Sequence, residues 1–143
     1  MSDTWFCKAV EGCQLSVFLV NQPGSITAVS GLLSDKGVNI IAFSLAEGLD
    51  HGYVRMVVDK PDIARVALTE DGGLIFERSV LLVEASNHEG SLHRIANTLS
   101  EAGVNVDYTY CASGTRPDTG LMVARVNDLP KAISALNDLA AKG

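Results

Sequence analysis

The sequence predicts an α+β fold of two tandem βαββαβ units, each an antiparallel sheet with its helices on one face. Two observations carry this. A set of polar and glycine residues recurs at one constant spacing, and around each recurrence the apolar pattern switches between strand-like and helix-like in the same order. Asn21-Gln22-Pro23-Gly24-Ser25 is matched by Asn87-His88-Glu89-Gly90-Ser91, and Gly37-Val38-Asn39-Ile40 by Gly103-Val104-Asn105-Val106. Each later residue lies 66 positions after its counterpart, and six of the pairs are identical, which one shared dipeptide could never establish.

Each unit opens with an apolar, β-rich run, Gln14 to Val20 and Val80 to Ala85. A polar turn with Gly at its fourth position ends the run. A helix pattern follows, with Ile26, Val29, Leu32 and Leu33 on one face in the first unit and Leu92, Ile95, Leu99 and Ala102 in the second. Gly37 and Gly103 stand where a helix needs a positive-φ residue to stop. Two strands come next, Val38 to Ala46 and Tyr53 to Asp59 across the turn Glu47 to Gly52, then Val104 to Ala112 and Leu121 to Val126. A second helix starts at Pro61 or Pro130, because proline's missing N–H costs nothing in a first helical turn. The first unit closes with a last strand, Leu74 to Glu77, which runs almost directly into the first strand of the second, and strand, helix, strand, strand, helix, strand is the split βαβ, ferredoxin-like plan.

These elements divide the chain into a first unit at 14–78 and a second at 79–143, preceded by a segment at 1–13. The second unit ends in Ala140-Ala141-Lys142-Gly143 with no fourth strand, whereas Trp5 to Val10 reads as an extra one. That segment is expected to supply a sheet edge, because an open edge invites aggregation. The first strand of each unit is apolar on both sides: Leu15, Val17 and Leu19 point one way, Phe18 and Val20 the other. Both sheet faces are therefore expected to be covered, one by helices and one by the other unit or a second chain. A tight tandem and a homodimer follow as expectations.

Composition narrows the function classes. The 143 residues are 47% hydrophobic with a net charge of −6, which suits a packed globular chain and repels phosphate backbones, so nucleic acid is not expected. No apolar run approaches the ~20 residues of a membrane-spanning helix. No basic-then-apolar leader is visible, so a cytoplasmic location is the expectation. Cys7, Cys13 and Cys111 are odd in number and widely spaced, fitting neither a disulfide scaffold nor a zinc site. There is no nucleophile–base–orienter set and no phosphate loop, so no enzyme, catalytic residue, metal or cofactor is expected.

The repeated motif is a strand, a glycine turn and a helix start. The first N–H groups of a helix lack partners within it and carry the positive end of its dipole, so an anion such as a carboxylate is welcome there. Gly24 and Gly90 let a ligand approach the backbone, although a glycine in such a turn can equally serve conformation alone. Asn21 and Asn87 close the first strand, and Asn39 and Asn105 open the second. Because the helix returns the chain, these pairs are expected at one end of the sheet. There an amide offers both a donor and an acceptor, as an α-amino acid needs.

The runs Asn21-Gln22-Pro23-Gly24 and Gly37-Val38-Asn39-Ile40, with Asn87-His88-Glu89-Gly90 and Gly103-Val104-Asn105-Val106, resemble the regulatory ACT domain over Gln14 to about Leu139. The chain is most similar to small stand-alone proteins made only of two such domains. The resemblance implies an effector site formed by the glycine loop and the second strand, usually at an interface between two domains. In serine-binding members the loop Asn and the Asn of Gly-Val-Asn-Ile contact the effector, which implies Asn21 with Asn39 and Asn87 with Asn105. The implied ligand-binding set is Asn21, Gln22, Pro23, Gly24, Ser25, Asn39 and Ile40, then Asn87, His88, Gly90, Ser91 and Asn105. The second loop departs from the pattern, with His88-Glu89 in place of a residue and Pro, which sets an acidic side chain where a carboxylate would bind. Three readings stay open: an amino-acid-responsive regulator, a regulatory subunit of a separate metabolic enzyme, and a purely structural pairing module.

Overall fold

The computed structural model describes residues 5–20, 22–46 and 51–142. The elements are β1 (Cys7–Val20), α1 (Ser25–Asp35), β2 (Ile40–Ala46), β3 (His51–Val58), α2 (Pro61–Glu70), β4 (Ile75–Ser86), α3 (Ser91–Glu101), β5 (Val106–Ser113), β6 (Thr119–Val126) and α4 (Leu129–Lys142). They form two compact units, Cys13–Arg78 and Met1–Gly12 with Ser79–Gly143.

In the unit Cys13–Arg78 the strands lie in the order β2-β3-β1-β4. β3 is antiparallel to both β1 and β2, with Leu15 opposite Met56 and Val17 opposite Val54. The Phe18 N–H donates to Leu74 O at 3.1 Å where β4 joins β1. Leu15, Val17, Val54, Met56 and Val58 face the core, where Leu33 of α1 and Ala64 and Leu68 of α2 meet them. α1 stops as the sequence dictates, with Gly37 at φ 73° and the Lys60 ammonium donating to its carbonyl at 2.8 Å. On the opposite face Phe18 is 43% exposed and Phe76 52% exposed, and the Phe18 ring meets Tyr53 tilted and Phe76 edge-on, at centroid separations of 5.6 and 5.8 Å. That face is therefore open within the unit, where the two-sided apolar pattern of β1 predicted a cover. Arg55 lies over the Tyr53 ring at 4.9 Å and donates to its hydroxyl.

In the other unit the order is β1-β4-β6-β5, again antiparallel between β4 and β6 and between β5 and β6. The place after α4, where the sequence shows no strand, is taken by the start of β1. The Ser86 N–H donates to Phe6 O at 2.9 Å, and Ala9 exchanges two hydrogen bonds with the Asn137 side chain of α4. Trp5, Cys7 and Ala9 join Leu81, Val83, Ile95, Leu99, Ala132 and Leu136 in one core. β1 and β4 are thus longer than the runs read from the sequence. Two adjacent apolar segments fuse into one strand in each case, because Glu11, Gly12, Arg78 and Ser79 between them keep an extended backbone.

The helices are anchored unequally. α3 buries Ile95 and Leu99, whereas α1 buries Leu33 alone. Full burial of one such side chain stabilises by about 1.5–3 kcal/mol. α1 therefore has about one such increment less holding it to its sheet, and it opens more readily.

Candidate functional site

β1 ends at Val20 and the chain turns tightly into α1. The Gln22 N–H donates to Val20 O at 2.9 Å, the Ser25 hydroxyl donates to the same carbonyl at 2.6 Å, and the Ala28 N–H donates to Gly24 O. Gly24 precedes the helix at φ 91°, a left-handed conformation that other residues resist. A Cβ built there meets nothing within 4 Å. The glycine is thus required by the backbone, and its open surroundings also leave the helix start approachable. No side chain of this residue caps the helix, and although the Ser25 N–H donates to Gln22 O at 3.4 Å, the start of α1 still offers the positive end of its dipole to an incoming anion.

Beside this turn lies a cavity of about 310 Å³. Leu19 and Val20 of β1, Ile26 of α1 and Leu45 of β2 give it apolar walls. Gln22 and Ser25 add polar groups, and Ala46 and Gly52 also line it among the described residues. Gln22 and Ser25 are thereby brought to one site with the glycine turn, and exposed Pro23 shapes that turn. Asn21 lies outside the described residues.

The second repeat builds a corresponding place with different contents. Gly90 precedes α3 at φ 86°, and again an added Cβ meets nothing within 4 Å. The Ser91 hydroxyl accepts from the His88 N–H at 3.0 Å, and Ser91 is buried. Asn87 and Ser91 line a cavity of about 120 Å³ with Ser86, Leu92, Cys111, Ala112 and Gly120 among its walls. The His88 ring turns away to meet Trp5 edge-on, with centroids 5.9 Å apart. The Asn87 N–H is taken by Asp118 O at 2.8 Å.

Asn39 and Asn105 do not join these sites within their own units. Val20 pairs with His51 and Ala46 with Tyr53 at the glycine-loop end, while Ile40 pairs with Val58 at the other. Asn39 therefore lies about 20 Å away, the length of the seven-residue β2. The expectation that both asparagines share one end of the sheet fails for a simple reason. The helix carries the chain back, so β2 starts where β1 started and runs parallel to it. Asn39 instead exchanges hydrogen bonds with Asp59, at 2.8 Å to its carboxylate and 3.1 Å from its N–H. Asn105 makes the same exchange with Asn127, and its amide also donates to Asp107. Ile40 packs against the core.

The apolar walls were not singled out in the sequence, although the repeat held the signal. Val20, Ile26, Leu45 and Ala46 stand 66 positions before Ser86, Leu92, Cys111 and Ala112, which line the second cavity. Among the described residues no group of three or more His, Cys, Asp or Glu side chains could hold a metal ion. No helix there is long and apolar enough to cross a membrane.

A family model for the ACT domain pair matches residues 10–139. The crystal structure of protein BT0572 from Bacteroides thetaiotaomicron is similar at 30% identity and TM-score 0.83, covering 91% of this chain and 89% of that one. The regulatory subunit of aspartate kinase from Thermus thermophilus shares the fold at 15% identity and TM-score 0.69, with 94% and 95% covered. That of Thermus flavus does so at 14% identity and TM-score 0.60, with the same shares. No curated protein sequence matches the chain. A match over residues 10–139, on two units of the same strand and helix order, settles the family: this chain belongs to the ACT domain pair family.

Proposed function

We propose that the chain is a non-catalytic regulatory protein that binds an α-amino acid at its glycine loop. The observation that carries this is the cavity at the start of α1, where apolar walls, polar Gln22 and Ser25 and a side-chain-free helix N-terminus converge. A carboxylate is stabilised by the exposed N–H groups and the dipole of α1. The Gln22 amide supplies a carbonyl that can accept from an ammonium group. Nothing in this arrangement activates a nucleophile, and binding is its chemistry.

Binding becomes a signal only when the ligand favours one state over another. Here that state is an assembly: a homodimer, or a complex with a separate enzyme of amino-acid metabolism in the cytoplasm. The second partner is favoured by the full-length likeness to chains named as regulatory subunits of aspartate kinase. It is tested by purification from native lysate, where an enzyme in stoichiometric amount supports it and a chain recovered alone opposes it.

Thermal unfolding against each of the twenty amino acids tests the binding itself. A ligand of the native state stabilises it by about 2.7 kcal/mol at a hundred times its Kd. A raised midpoint with at least one amino acid, diminished in Gln22→Ala, is the expected result. No shift with any of the twenty refutes the reading.

A further inference from the structure

The sheet of the unit Cys13–Arg78 carries its helices on one face and leaves large apolar side chains exposed on the other. Resting on the homodimer proposed above, but not on its amino-acid ligand, we infer that this exposed face, centred on Phe18 and Phe76, is where a second copy of the chain docks, sheet against sheet about a twofold axis.

The fold does not require apolar residues at this place. Glu84 of β4 lies 66 positions after Phe18 of β1, and Thr119 of β6 lies 66 after Tyr53 of β3. There the pair is polar and is closed by its own hairpin. The Thr119 hydroxyl donates to the Glu84 carboxylate at 2.8 Å, and the Thr115 and Arg116 N–H groups donate to it at 3.0 Å each. In the unit Cys13–Arg78 the pair is aromatic instead, and Phe76 of β4 adds a third ring edge-on to Phe18. Leu74 lies on the same face, two residues before Phe76, and its carbonyl accepts from the Phe18 N–H. Phe18, Leu74 and Phe76 remain 43, 58 and 52% exposed. A contiguous apolar cluster left to water is the mark of a surface that something covers.

The area fits a second copy. The three side chains together present about 300 Å² of apolar surface, comparable with the largest such patch on a typical monomer. Two copies face to face cover about 600 Å², close to the ~700 Å² of apolar area in the smallest standard interface, which buries ~1,200 Å² in all. Half-buried Tyr53 beside Phe18 adds to it. Phe18, Leu74 and Phe76 are uncharged, so a twofold axis sets apolar surface on apolar surface. Arg55 is already engaged, its guanidinium over the Tyr53 ring at 4.9 Å and bonded to the Tyr53 hydroxyl. An interface of this size gives a dimer that forms at micromolar concentration and dissociates on dilution.

Sedimentation velocity of the full chain without added amino acid, from about 1 to 100 μM, tests this. Phe18→Glu and Phe76→Glu alter the cluster, Phe18→Ser is a milder change, and Ile63→Glu is the matched control. Ile63 is 46% exposed on α2, on the helical side of the same unit. Thermal unfolding checks that each variant folds, and Phe18→Ser with Phe76→Glu carries the test if Phe18→Glu does not. The expected result is a reversible dimer in the wild type and in Ile63→Glu, weakened about tenfold or more by either glutamate in the cluster and less by Phe18→Ser. A wild-type chain that stays monomeric throughout overturns the interface. So does a dimer indifferent to the cluster changes, or one lost in Ile63→Glu alone. The sensor reading fails or stands separately. A monomer that gains thermal stability from an amino acid overturns the interface and keeps that reading, whereas a dimer lost in Phe18→Glu without any amino-acid response supports the interface alone.

Discussion

Replacing Gly24 separates the two reasons a glycine can stand in this turn. At φ 91° an alanine must adopt a left-handed backbone, which costs about 1–2 kcal/mol. Sterics add nothing, because the new Cβ has no neighbour within 4 Å. For a unit of this size each kcal/mol moves the midpoint by about 4–8 °C, so Gly24→Ala should lower that of the unit Cys13–Arg78 by about 4–16 °C. Asparagine tolerates the left-handed region, so Gly24→Asn should cost less than Gly24→Ala. Its side chain nevertheless projects over the start of α1, so the ligand-induced rise in midpoint should shrink even though the fold is kept. Gly52→Ala is the contrast. Its Cβ would lie 2.8 Å from the backbone oxygen of Ala46, which has no flexible end to move aside, so the β2–β3 pairing must shift. Circular dichroism melts of the three variants, with and without ligand, read all of this. A Gly24→Asn variant as unstable as Gly24→Ala refutes the backbone reasoning, and one that keeps the full ligand response refutes the placement of the ligand.

Two further outcomes concern Glu84 and the three cysteines. Partial burial works to raise the Glu84 pKa, but hydrogen bonds from the Thr115 and Thr119 hydroxyls and the Arg116 and Thr115 N–H groups outweigh it, leaving it below the usual range. A folded value lower than the unfolded ~4.3 adds stability that is present above that pH and lost as pH falls through the folded value. Wild-type stability should therefore decline more steeply below about pH 4 than that of Glu84→Gln in urea titrations, and equal slopes would sink the assignment. The cysteines should react in sequence. Burial pushes the Cys7 thiol up against the opposing pull of Arg94, and burial with the Glu77 hydrogen bond pushes up Cys13, while Cys111 is exposed. Mass-resolved alkylation of the native protein should label Cys111 first and Cys7 only on unfolding; early labelling of Cys7 would contradict the packing of β1.

The repeat made the architecture legible because both halves must solve the same folding problem with the same turn residues. Gly37 and Gly103 could be assigned to helix ends from sequence, and they adopt φ 73° and 75°. Strand direction was harder to read. The spacing of Asn21 and Asn39 says nothing of whether they meet until the crossover is worked through, and the crossover separates β2's start from the loop. Strand length was also hidden. Gly12 and the polar pair Arg78-Ser79 read as breaks, yet an extended backbone tolerates them where neighbouring strands supply the ladder. The walls of the two cavities lay in pairs such as Leu45 and Cys111. A search for identical residues passes over these, because the difference between them is the information.

The partners of Trp5 to Gly12 are translated long after it. Ala9 bonds to Asn137, 128 residues further along. At about 5–20 residues per second that is a wait of roughly 6 to 26 s before Ala9 gains its partner on α4. The unit Cys13–Arg78, uninterrupted in sequence, can be complete before its companion has been translated. Birth order and folding order are thus reversed for Trp5 to Gly12, a β-segment that stays incompletely covered through that interval. Chaperone capture during translation, and aggregation when it fails, should centre on those few residues.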